Sequence, residues 1–201
     1  MTTTKNERLL AYIKEKHGMA TYSDIRAAGF DKKTLRSLAD SGKVKKVNRA
    51  LYRLSEGADL SHPDFVTVSI KAPRGVVCLI SALSFYEATD EIPRRVDVAI
   101  PRGTWASRIG YPPVQYYRFT KKAYDAGIEE HKIDGYTIRI YSLAKTIVDC
   151  FKFRSKIGMD VARKALKEAF AEKRISAEEL MRYAKICRVS NIVQPILETL
   201  L

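Results

Sequence analysis

The chain has 201 residues, with 36 Lys+Arg against 23 Asp+Glu and a formal net charge of +13. At 46% hydrophobic and 29% charged it holds enough apolar matter for a packed core, which excludes a disordered basic tail. The longest apolar run, Gly75 to Tyr86, falls well short of the ~20 residues a membrane-spanning helix needs, and the start MTTTKNERLL meets charge before any apolar stretch, so the expectation is a cytoplasmic protein with no signal peptide.

Positive charge is concentrated at the N-terminus: residues 1–53 carry thirteen Lys/Arg and five acids. The elements of that segment can be read in order. Leu9, Leu10 and Ile13 fall at helical spacing between Glu7 and Lys16, and Gly18 stops the helix. Ser23 suits the N-cap of a short helix, Asp24 to Ala28, closed by Gly29. Asp31 suits the cap of a third, Lys32 to Ser41, closed by Gly42, in which Leu35, Leu38 and Ala39 form the apolar stripe. Lys43 to Val47, a break at Asn48-Arg49-Ala50, and Leu51 to Leu54 then predict a β-hairpin with a basic first strand and a basic tip. Three helices and a basic hairpin outline a winged helix-turn-helix. A helix fits the major groove, where base edges are distinguishable, and a basic hairpin takes up phosphate charge.

Residues 57–64, with Gly57 and Pro63, read as a linker or seam. Beyond it, Phe65 to Lys71 suits a helix or a strand, and Val76 to Tyr86 is apolar and helical near Ser81-Ala82-Leu83. Arg95 to Ile100, Val114 to Phe119 and Tyr136 to Tyr141 alternate as strands. Ser142 caps a helix reaching about Phe153, and Val161 to Ala171 is amphipathic. Ser176 with Glu179 forms a capping box for Ala177 to Ala184, and a last helix lies near Ile192 to Leu200. The fold class expected is α+β: an N-terminal winged helix-turn-helix over residues 1–56, then a mixed α+β unit over 65–201 with a small sheet and a helical C-terminus.

Catalytic signatures are scarce. The chain has no GxxxxGK[ST], GxGxxG, HExxH or GxSxG. Cys78, Cys150 and Cys187 stand far apart in apolar stretches and read as buried thiols, and only His17, His62 and His131 could add metal ligands, so neither metal nor cofactor is expected. Asp97 followed by Glu130 and Lys132 resembles an acid…acid-x-Lys nuclease site, but 129–132 reads as a polar stretch before a turn, where side chains share no face. Asp149, in an apolar helix, reads as a buried carboxylate paired with a nearby cation. Trp105 reads as a loop-edge packing residue, and Tyr111, Tyr116 and Tyr117 as sheet packing. An enzyme is not expected.

Thr21-Tyr22-Ser23-Asp24, Ala28-Gly29-Phe30, Leu35 to Leu38, Gly42 to Val47 and Arg49-Ala50-Leu51-Tyr52 together resemble the N-terminal domain of AbiEi-type antitoxins of type IV toxin–antitoxin systems. Pro73 to Leu79 with Ser81-Ala82-Leu83, Ile92-Pro93, Val98 to Gly103 and Ser142 to Cys150 continue the likeness. Two positions depart from the family pattern. Ala50 stands where the hairpin has glycine, and Lys145 stands where the helix has an arginine, whose bidentate fork a lysine cannot make.

The resemblance implies a phage-defence repressor that binds double-stranded DNA at inverted repeats of its own promoter, cooperatively, and counters a cognate nucleotidyltransferase-like toxin. The expected DNA-facing residues are Lys32, Lys33, Thr34, Arg36 and Ser37 on the third helix and Lys43, Lys45, Lys46, Asn48 and Arg49 on the hairpin. The alternatives are a protein-interaction module that neutralises a toxin without reading DNA, and, more remotely, a metal-dependent nuclease at Asp97, Glu130 and Lys132.

Overall fold

The computed structural model describes residues 4–16, 18–56 and 60–200; His17 and positions 57–59 of the expected linker lie outside the described residues. Thr4 opens helix α1 (Lys5–Glu15) with a capping box, its hydroxyl accepting from the Glu7 amide while the Glu7 carboxylate accepts from the Thr4 amide. The first strand, β1 (Met19–Thr21), is wholly buried and was not expected; three residues are too few to display a period of two. Helix α2 (Tyr22–Ala27) begins two residues earlier than its predicted start. The cap is Thr21, paired with Asp24 at capping-box spacing, and not Ser23. Helix α3 (Lys32–Asp40) follows its expected Asp31 cap, and Gly42 leaves it at φ +67°, where a side chain would be strained. Strands β2 (Val44–Lys46) and β3 (Leu51–Leu54) form the predicted hairpin, and β1 pairs with β3 to give an antiparallel sheet of order β1-β3-β2.

One face of this small sheet closes a core with the three helices, through Leu9, Ile13, Ile25, Leu35, Leu38 and Val44. The other face sends Met19 and Leu51 into a second cluster with Val66 and Val68 of α4 (Pro63–Lys71) and with strands of a larger sheet.

That sheet has five strands: β4 (Val76–Val77), β5 (Val96–Pro101), β6 (Val114–Phe119), β7 (Ile128–Ile133) and β8 (Tyr136–Tyr141), in the order β6-β5-β4-β8-β7. It is mixed, with β5/β6 and β4/β8 parallel and the other two pairings antiparallel. Alternation decides its two faces. Val96, Val98, Ile100, Ile138 and Ile140 face α4 and the N-terminal sheet, while Ala99 and Tyr141 face the helical layer. The apolar run from residue 76 divides into β4 and helix α5 (Leu79–Phe85). Two strands of this sheet were not expected: β4, hidden at the start of that apolar run, and β7. As an edge strand β7 keeps Glu129, Glu130 and Lys132 exposed, so its apolar alternation is masked by polar residues.

The helical layer comprises α5, α6 (Lys121–Asp125), α7 (Leu143–Lys152), α8 (Arg154–Ile157), α9 (Met159–Ala171), α10 (Ala177–Cys187) and α11 (Ser190–Glu198). Every side chain of α7 from Leu143 to Phe151 is buried, since α5, α9, α10 and α11 surround it. The chain is thus α+β throughout. Among the described residues no helix is long and apolar enough to cross a membrane.

Candidate nucleic-acid interface

The geometry of α3 begins at its cap. Asp31 accepts the Thr34 amide at 2.7 Å and the Thr34 hydroxyl at 2.8 Å, and it pairs with Lys5 at 2.5 Å; these hydrogen bonds hold its carboxyl well below the usual range. Thr34 is therefore buried against its own helix terminus and presents nothing outward, unlike the expectation for it. Leu35 and Leu38 point into the core, which leaves Lys32, Lys33, Arg36 and Ser37 on the exposed surface. Ser37 accepts a hydrogen bond from Asn6 at 3.2 Å, and Arg36 lies 3.7 Å from Asp40 with both side chains largely exposed. Such a surface pair is worth at most about 1 kcal/mol, so Arg36 is free to exchange Asp40 for another anion.

On the hairpin, Lys43, Lys45 and Lys46 are exposed. The tip is held differently from the expectation. The Asn48 side-chain oxygen accepts the Ala50 and Leu51 amides, both at 2.9 Å, and its amide nitrogen donates to Asp64 at 3.2 Å and Thr67 at 3.1 Å. Asn48 thus closes the turn itself, and Ala50 stands outside the left-handed region that would call for glycine. The same side chain also fixes the tip to α4, so Asn48 is a structural residue. Burial pushes the Asp64 carboxyl up while the Asn48 bond opposes it. Arg49 remains exposed, its guanidinium 5.8 Å from the centre of the Tyr111 ring.

Of the ten candidates the fold therefore leaves eight exposed on α3 and the hairpin and turns Thr34 and Asn48 inward. Arg108, in the loop between β5 and β6, lines the same concavity as Arg49; it was missed because only the tertiary fold brings residue 108 to the hairpin.

The other constellations are settled by burial and distance. Lys145 Nζ lies 2.5 Å from Asp149 Oδ2 with both side chains fully buried, 4.0 Å from the Tyr141 ring centre and 4.9 Å from that of Phe119. The Cys187 thiol donates to the other Asp149 oxygen at 3.4 Å. Lysine meets Asp149 end-on, and burial pushes the Asp149 carboxyl up against the opposing pull of Lys145. The three cysteines are free and buried, and burial pushes Cys187 up to about 12.

Asp97 is buried on β5, with its carboxylate 3.4 Å from Arg95, whereas Glu130 and Lys132 lie on β7, three strands away, or ~14 Å at ~4.8 Å per strand. The strand that a nuclease site needs exists, but Asp97 is not brought to it. Among the described residues no group of three or more His, Cys, Asp or Glu side chains is placed to hold a metal ion. Trp105 is 94% exposed and packs against no loop edge, and Tyr111 serves the hairpin tip while Tyr117 packs on Phe153.

Residues 7–55 match the model of a family described as transcriptional regulator, AbiEi antitoxin. Over that stretch the chain resembles the AbiEi-type regulators. The match covers α1 to β3, including all ten expected DNA-facing residues, and bears out the resemblance there. No curated protein matches the chain.

Proposed function

We propose that the protein is a DNA-binding transcriptional regulator and the antitoxin of a type IV toxin–antitoxin system, acting in the cytoplasm without catalysis. In this reading α1 to β3 form a winged helix-turn-helix, residues 1–56. Helix α3 enters the major groove, the hairpin lysines neutralise the backbone, and residues 65–201 counter a nucleotidyltransferase-like toxin. The protein represses its own operon at inverted repeats of the promoter. One observation carries most of the support: within residues 7–55, Lys32, Lys33 and Arg36 on α3 and Lys43, Lys45, Lys46 and Arg49 on the hairpin are all exposed. If five phosphates are neutralised, log K falls with log salt at a slope of about −4.5. Band-shift titration on the protein's own promoter at several salt concentrations measures it. A flat salt response, or equal affinity for random duplex, refutes the reading. Within it, Arg36→Ala costs ~1–3 kcal/mol on the specific site and relaxes sequence preference, whereas Lys45→Ala weakens all duplexes alike and reduces the slope by about 1.

The docked hairpin tip favours one second reading, a protein-interaction module whose basic face does not read DNA. Asn48 holds that tip on α4, away from the free posture of a minor-groove wing. Toxin co-purification that survives charge reversal of Lys45 and Lys46, with no promoter binding, would select it.

A further inference from the structure

Between the hairpin tip and the β5–β6 loop lies a cleft of about 340 Å³, which is within the ~300–1,000 Å³ range of small-ligand sites. Three cations line it: Arg49 from the hairpin, Lys71 from the end of α4 and Arg108 from the loop, together with Tyr22, Ser23 and Tyr111. Lys71 is partnered by Asp24 at 2.7 Å, but among the described residues no carboxylate pairs with Arg49 or Arg108. The Tyr111 ring under Arg49 orients one guanidinium without neutralising it.

Two guanidinium groups with no carboxylate partner among the described residues thus share one concavity with the Asp24-paired ammonium, and the concavity focuses their field on whatever anion enters. The guanidinium fork matches phosphate oxygens two at a time, and the tyrosine rings and the Ser23 hydroxyl offer stacking and hydrogen bonding to the remainder of a ligand. We propose that this cleft is a phosphoryl-binding site for a free phosphate ester of nucleotide size, which ties the hairpin tip to the β5–β6 loop. The cleft shares Arg49 with the expected DNA-facing set, and Arg108, outside that set and outside residues 7–55, is what separates it from promoter recognition.

A DNA backbone phosphate offers the same chemistry, so the test separates the two sources. The full chain is titrated with a fluorescent adenosine triphosphate, with inorganic pyrophosphate and with a short duplex, and its melting temperature is followed in each. Saturable nucleotide binding is expected, with a melting temperature that climbs with ligand concentration. R108Q and R49Q each weaken nucleotide binding by about tenfold or more, the loss expected on removing a charged hydrogen-bonding partner. Exchange of the exposed Lys167 on α9 for Gln leaves nucleotide binding unchanged, and R108Q leaves duplex affinity unchanged. Absence of saturable binding at millimolar nucleotide overturns the proposal, as does equal weakening by R108Q and K167Q. Duplex binding that R108Q weakens while free nucleotide does not bind assigns the cleft to the DNA backbone and also overturns it. Duplex binding that persists with no nucleotide bound refutes this proposal while leaving the regulator reading intact.

Discussion

Arg36 and Asp40 on α3 and Lys145 and Asp149 on α7 are both pairs four residues apart on one helix, yet the first pair is 81% and 71% exposed at 3.7 Å and the second fully buried at 2.5 Å. Identical spacing thus gives opposite chemistry. Water screens the α3 pair, so its charges stay available to a partner from outside. On α7 the low-dielectric core removes that freedom, and each charge depends on the other, with the Tyr141 and Phe119 rings beside the ammonium and the Cys187 thiol on the carboxylate. The N-terminal pair therefore lies on water-exposed surface, while the α7 pair is locked inside the helical layer.

The largest expected effect comes from breaking the buried pair on one side only. Asp149→Ala strands the Lys145 ammonium in the core at a cost of ~3–5 kcal/mol. For a chain of this size that lowers the melting temperature by roughly 6–20 °C, measurable by calorimetry. The double exchange of Lys145 to Met and Asp149 to Leu removes both charges at similar volume and should recover most of the loss, since buried pairs replaced by apolar groups are often neutral in stability. Removing the α3 pair with Asp40→Ala should shift stability by less than ~0.5 kcal/mol. Equal losses at the two sites would erase the distinction.

A smaller effect is expected at the junction of the two regions. The Asn48 side chain makes four hydrogen bonds, two closing the hairpin tip and two reaching α4. Asn48→Ala removes the bond to the Asp64 carboxylate and leaves the tip amides short of a partner, and it should cost ~1–3 kcal/mol. Amide exchange should accelerate at Ala50 and Leu51 before it does in the α3 core, because the tip opens as a local unit. Exchange that accelerates uniformly would mean that the tip and α3 are one cooperative unit.

How much of this was readable from residues alone follows the range of the interaction. The exposed face of α3 was legible, because Asp31, Leu35, Leu38 and Gly42 all act within one helix. The helix carrying Asp149 was legible for the same reason, as was the expectation of a buried carboxylate paired with a cation. Legibility failed where a side chain's role depends on a distant partner. Asn48 looks like any polar turn residue until Asp64 and Thr67 are placed beside it. Arg108 acquires meaning only because the β5–β6 loop folds back onto the hairpin. Thr34 failed for a different reason: it lies at capping distance from Asp31, and that local competition for its hydroxyl outweighed the outward placement inferred from the basic residues around it. The strands β1 and β7 escaped notice because one is too short and the other too exposed to show alternation.

The smallest expected effect concerns acid, at the ion pair that joins α2 to α4. Burial pushes the Asp24 carboxyl up, but hydrogen bonds from Lys71 and Thr21 and the Lys71 charge outweigh it, and the net shift is downward from the ordinary 3.8. A carboxyl whose folded value is depressed contributes stability that is fully present above its unfolded value and is lost as pH falls through the folded one. The contribution of Asp24 should therefore be constant from neutral pH down to about pH 4 and fade below it. Denaturant titrations of the wild type and Asp24→Asn at neutral pH and below pH 3 measure the difference, which should shrink with acid as the wild-type carboxylate becomes protonated. A gap between wild type and Asp24→Asn that stays constant into acid would mean that Asp24 stabilises the junction through packing and neutral hydrogen bonds, not through its charge.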